Sequence, residues 1–156
     1  MPDQTAPRSA VNGLTLAQAN AILEAALAKG RALNLLPLTV AVLDAGGQLK
    51  ALQREDGSSL LRPEIAIGKA YGALALGLGG RELARRAQAM AGFMNALSDL
   101  AGGRAVPVPG GVLACDAAGV ILGAVGISGD VSAQDEVCAI AGIEAAGLRA
   151  ETGDPG

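Results

Sequence analysis

The sequence predicts one α+β domain built around a mainly antiparallel sheet of about five strands. Three observations lead there. Apolar residues recur at helical spacing in several segments. Short apolar and β-branched runs come in pairs joined by Gly-containing turns, the pattern of hairpins. Helices and strand pairs also fail to alternate as β-α-β units, which argues against a doubly wound parallel sheet. The 156 residues suit a single domain. A polar, Pro-containing arm is expected over 1–13, the domain over 14–149 and a flexible tail over 150–156.

The elements follow in order. Thr15 with Gln18 three residues later forms a capping box, with Leu14 just outside. Leu16, Ala19, Leu23, Ala26, Leu27 and Leu33 then mark a helix face, which Asn34 and Pro37 end. The run 38–44 (LTVAVLD) reads as a buried strand, 45–47 as its turn and 48–54 as the return strand. After a polar loop, Pro63 sits in the first turn of a second helix, where its missing N–H costs nothing. That helix runs to about Leu76, Gly77–Gly80 break it, and a third helix is expected from Arg81 to about Leu97. Pro109-Gly110-Gly111 reads as a turn, 112–115 as a strand, 116–119 as a hairpin connection and 120–128 as a second strand. Gly123 and Gly126 interrupt that strand and mark a bulge or a close approach by another backbone or a ligand. A last helix, capped by Ser132 with Asp135 in its first turn, runs to about Leu148.

Composition narrows the function classes. The chain is 51% hydrophobic and 17% charged, with Tyr71 and Phe93 its only aromatic residues. Small side chains bury little area each, at about 25 cal/mol per Å². Burial between subunits would add to this, so a homo-oligomer is expected. A net charge of −3, a pI near 4.9 and the absence of a stacking platform argue against a nucleic-acid partner. No apolar run reaches spanning length without glycine breaks and charge, and no basic start leads into an apolar h-region. The expectation is a soluble cytoplasmic protein without a membrane partner. Cys115 and Cys138 form no CxxC pair and read as buried free thiols.

The chain contains no histidine, which excludes Ser-His-Asp and Cys-His nucleophile systems. Two isolated cysteines cannot close a zinc site, so no metal centre is expected. No strand–GxGxxG–helix fingerprint is present. The remaining polar candidates each carry two readings. Asp44 suits a turn start. It should lie at the opposite end of its hairpin from Arg54, which either grips a carboxylate with its fork or makes a surface ion pair. Lys69, alone in the apolar run IAIGKAYGA, either snorkels or meets an acid, and a buried lysine can serve as a base or anion anchor. Tyr71 reads as a core aromatic, Met90 and Met94 as a core stripe. Pro109, Gly110 and Gly111 can expose N–H groups as an anion nest, near the positive end of the last helix. Asp135 and Glu136 suit capping or an acid–base role beside an organic acid.

The stretches LTLAQANAILEAALAKGRAL, VAVLDAGGQLKALQREDG, IAIGKAYGA, VPGGV and VILGAVGISGDVSAQDEVCAIAGI, in this order, resemble the GlcG/HbpS family, which includes the C-terminal domain of PduO-type proteins. The resemblance covers most of 14–148. It implies a profilin-like three-layer α/β/α sandwich, assembly into tetramers or larger, and in some members a bound heme or related tetrapyrrole. Members with heme often place a histidine near the iron; this chain has none, and 80–106 departs from the family pattern. In that setting Arg54 becomes a candidate for a heme propionate and Tyr71 for ferric iron as a phenolate. Three function classes follow. The first is an oligomeric binder of a small, anionic ligand, with the cofactor unknown and heme implied by the resemblance. The second is a cofactor-independent isomerase, hydratase or lyase on a carboxylated metabolite, with Lys69, Asp135 and Glu136 moving protons. The third is a structural assembly protein without a ligand.

Overall fold

The computed structural model describes residues 5–6 and 13–154; the arm expected over 1–13 lies almost wholly outside them. Helix α1 spans Leu16–Ala32, and the Thr15–Gln18 capping box forms with both reciprocal bonds, 3.1 and 3.0 Å. Asn34 ends the helix in the left-handed region at φ 53°. Strands β1 (Thr39–Asp44) and β2 (Leu49–Arg54) form the first hairpin, and α2 follows over Arg62–Leu76, with Pro63 in its first turn. Strands β3 (Gly111–Cys115) and β4 (Ile121–Ser128) form the second hairpin, followed by α5 (Ser132–Ala145).

Between α2 and the second hairpin stand two helices, not the single third helix expected: α3 (Gly80–Ala89) and α4 (Ala91–Leu100). The break is at Met90, whose φ −145° and ψ 61° leave the helical region. No proline marks it, and Met90 donates its N–H to the Arg86 carbonyl as the first helix closes. A second difference lies at the C-terminus. Arg149–Glu151 form strand β5, which pairs with β3 as an edge, Leu113 opposite Glu151 and Cys115 opposite Arg149. The sequence reading placed most of this stretch in the flexible tail. Three residues give no hydrophobic period to read, and the pairing is made entirely by β3.

The sheet order is β2-β1-β4-β3-β5, every pair antiparallel. Alternation along the strands builds two cores. Val40, Val42, Val112, Ala114, Val125 and Ile127 meet α1 and α5, through Ile22, Leu23, Cys138 and Ile143. Leu43, Leu113, Cys115 and Ala124 meet α2 through Ala70 and Ala73. The result is a three-layer α/β/α sandwich, as the resemblance implied. The layer carrying α2 lies very close to the sheet. A Cβ on Gly126 would fall against the Ala66 carbonyl, and one on Gly111 against the Lys69 carbonyl. Gly111 and Gly126 are register partners, so together they form a bare patch of sheet on which α2 rests. Gly126 thus marks a close backbone approach, one of the two readings given above.

Candidate functional site

Two polar groups on α5 are buried side by side and point to different partners. Lys69 of α2 is 3% exposed, and its Nζ donates to Asp135 Oδ2 (3.1 Å) and to the Ile127 carbonyl (2.8 Å). Lys69 therefore meets an acid rather than snorkelling. The passage exists because residue 110 lacks a side chain: a Cβ on Gly110, whose φ is 107°, would sit 3.0 Å from Lys69 Nζ. Burial pulls the Lys69 ammonium below its ordinary range, against the pull of Asp135. Burial also holds the Asp135 carboxyl above the usual carboxylate range, with Lys69 opposing it. Asp135 Oδ1 accepts from the Asp130 N–H at 3.0 Å. Ser132 is not the cap: Val131 occupies that position without a side-chain bond. With Val131 as the cap, Asp135 sits a residue deeper than a capping-box acid, and Lys69 holds its other oxygen.

Glu136, 1% exposed, is held by Arg81 of α3. Arg81 Nε donates to both carboxylate oxygens, at 2.8 and 3.1 Å, while its Nη1 reaches Asp154 at 2.9 Å. The Arg81 N–H also donates to the Thr152 carbonyl, so this residue ties the C-terminal segment to the α2–α3 layer. Hydrogen bonds to Glu136 raise the Arg81 guanidinium further above its ordinary range. Sequence reasoning named Glu136 and missed its partner, 55 residues away.

The Pro109-Gly110-Gly111 turn does not stand open. The Gly110 carbonyl accepts from Ile127, Gly111 pairs within the sheet, and both pack on Lys69. Arg54 lies apart from Tyr71. It lines an open groove with Leu27, Arg31, Pro37 and Glu55 and donates to the Ser58 carbonyl at 3.3 Å. It pairs with Thr39 in the ladder while Asp44 stands at the other end of β1, as the hairpin geometry requires. Asp44 does turn chemistry, accepting from the Gly46 and Gln48 N–H groups at 2.9 and 3.0 Å. Both cysteines are free and buried, and burial pushes the Cys138 thiol up to about 11.

Tyr71 is half-buried and stands on the wall of a cavity of about 300 Å³ between α2, α4 and the 101–107 segment. Leu76, Leu83, Met94 and Leu97 supply much of the apolar lining. Met94 is buried, whereas Met90 at the helix break is 44% exposed, so the two do not form one core stripe. Arg104 lies over the Tyr71 ring, its guanidinium carbon 4.3 Å from the centroid. Sequence spacing gives no sign of this contact; it needs the α3–α4 excursion to return to α2.

Residues 14–144 match the family model described as haem-degrading protein, HbpS-like. The chain belongs to the HbpS-like family. An uncharacterised 15.0 kDa protein from the dhaT–dhaS intergenic region of Citrobacter freundii is 32% identical to this HbpS-like chain over 126 residues, 81% of this chain and 87% of the relative. A crystal structure of a PduOC:heme complex superposes with a TM-score of 0.78 at 26% identity, covering 87% of this chain and 96% of that one. HbpS itself gives 0.73 at 26%, covering 92% and 96%. Klebsiella pneumoniae ORFY gives 0.76 at 25%, covering 93% and 98%.

Proposed function

We propose that this HbpS-like protein is an oligomeric, cytoplasmic binder of a small ligand of the tetrapyrrole class, and that the α2–α4 cavity is its site. The cavity carries the reading: it is walled by apolar side chains and contains the phenol of Tyr71 and the thioether of Met94. In a chain without histidine, these are donors a tetrapyrrole iron can use. Membership of a family described as haem-degrading and the fold shared with a PduOC:heme complex support the ligand class. Bound heme would supply a redox-active iron; Tyr71 and Met94 would hold it, and Leu76, Leu83 and Leu97 would keep water from the enclosed edge. A volume of about 300 Å³ is at the small end for ligand pockets. A macrocycle would therefore protrude, and a second subunit would cover the remainder. Leu100 on the cavity lining and Phe93 on the same helix, 85% and 57% exposed, suit such a contact. Two free thiols suit a reducing compartment.

The geometry does not favour proton transfer by Lys69, Asp135 and Glu136. Each is closed by protein partners, and none lines the cavities described. The test is hemin titration followed by native mass spectrometry. Saturation at a defined stoichiometry, a shifted Soret band and a spectrum altered by Tyr71→Phe or Met94→Ala are expected, in a tetramer or larger. Unsaturable uptake insensitive to both substitutions would overturn the ligand; a ligand-free assembly would favour a structural role.

A further inference from the structure

Among the described residues, Arg104 is the one charged residue lining the α2–α4 cavity. Its Nε is spent on the Ala101 carbonyl at 2.8 Å, while neither Nη has a hydrogen-bond partner among the described residues. Asp99, exposed near the end of α4, makes no ion pair with it. Arg31, Arg81, Arg85 and Arg86 behave differently, each gripping a carboxylate of the chain. Stacking on Tyr71 at 4.3 Å fixes the plane of the guanidinium but leaves its edge available. A planar fork with both Nη groups free on one edge, beside an apolar cavity that no acid lines among the described residues, matches a carboxylate attached to an apolar body.

We propose that the α2–α4 cavity selects ligands bearing a carboxylate, and that Arg104, oriented by Tyr71, is the residue that reads it. The inference rests on this cavity being the ligand site, and it sets the chemical class of the ligand more narrowly than the fold does. It also moves the carboxylate-binding role from Arg54, which the fold places in another groove, to a residue the sequence did not single out.

The experiment compares acid and ester forms of one ligand. Protoporphyrin and its dimethyl ester, both metal-free and fluorescent, are titrated into the full-length protein and into Arg104→Ala, Arg104→Lys and Tyr71→Phe. Melting curves confirm that each variant is folded; Arg104 is exposed, so they should match the parent. The parent should bind the acid about tenfold or more tighter than the ester, the scale of a charge-assisted pair. Arg104→Ala should lose that discrimination by weakening acid binding alone, Arg104→Lys should retain part of it, and Tyr71→Phe should retain it because the ring remains. Equal binding of acid and ester by the parent overturns the role of Arg104 and leaves the tetrapyrrole reading standing. If neither porphyrin binds, the tetrapyrrole reading falls, and naphthoate against its methyl ester, followed by calorimetry, decides this one. Naphthoate binding that is lost in Arg104→Ala sustains it, and absence of naphthoate binding overturns it.

Discussion

Replacing Lys69 by Met should be among the most damaging single changes in the molecule, and pairing it with Asp135→Leu should undo most of the damage. Lys69 and Asp135 side chains are 4% and 1% exposed. Removing the ammonium leaves a carboxylate with no cation and little water, holding only the Asp130 N–H. Breaking a buried pair in this way costs roughly 3–5 kcal/mol. At roughly 2–4 °C per kcal/mol for a chain of this size, the melting temperature should fall by about 6–20 °C. Removing both charges replaces the pair with apolar volume between α2 and α5, where packing is the main demand, and such replacements are often neutral. The double variant should therefore lie closer to the parent than either single variant does. Urea unfolding of all four proteins at one protein concentration reads the cycle and holds oligomer linkage fixed. A Lys69→Met cost below about 1 kcal/mol, or a double variant no better than the worse single variant, would refute the reading of Lys69 and Asp135 as a buried, mutually dependent ion pair.

Asp135→Asn should make stability depend on pH in a set direction. It removes the carboxylate that raises the Lys69 pKa, leaving burial and the Arg62 charge, which both lower it, so the folded value drops further below 10.5. Between that value and 10.5 the unfolded chain binds more protons, so stability rises with pH; the deficit against the parent should shrink from neutral pH toward alkaline pH, and a constant deficit would count against it. Gly111→Ala and Gly126→Ala should both act on stability, each costing roughly 1–3 kcal/mol or more through overpacking against α2; a Gly111→Ala protein that melts like the parent would show that α2 does not rest there. Arg81→Ala should cost about 2 kcal/mol, less than a fully buried pair because Arg81 is half-exposed, and hydrogen exchange at Thr152 and its neighbours should accelerate.

Local chemistry was legible and distant pairing was not. The Thr15–Gln18 box, the Asn34 stop, both hairpins and the turn role of Asp44 depend on residues a few positions apart, and the sequence shows them directly. One charge in an apolar run left Lys69 either to snorkel or to meet an acid; that it meets one, and that the acid is Asp135, was not legible, since 66 residues intervene. Gly110 and Gly111 looked like an anion nest because a glycine turn reads the same whether its bareness admits a ligand or another part of the chain. Here it admits Lys69. The break at Met90 and the Arg104–Tyr71 stack have no marker residues. Both depend on how an exposed helical excursion folds back over α2.

The two walls of the cavity stand on different foundations. The α2 wall, with Tyr71 and Gly72, is seated backbone on backbone against Gly111 and Gly126, like the fixed jaw of a vise. The facing wall, α4, leans chiefly on α3 and is strung between the bend at Met90 and the left-handed Gly102 and Gly103. A thicker or thinner guest must be accommodated by the sliding jaw. Changes of guest within this fold should therefore be written into residues 90–103, while the glycines under α2 stay as they are.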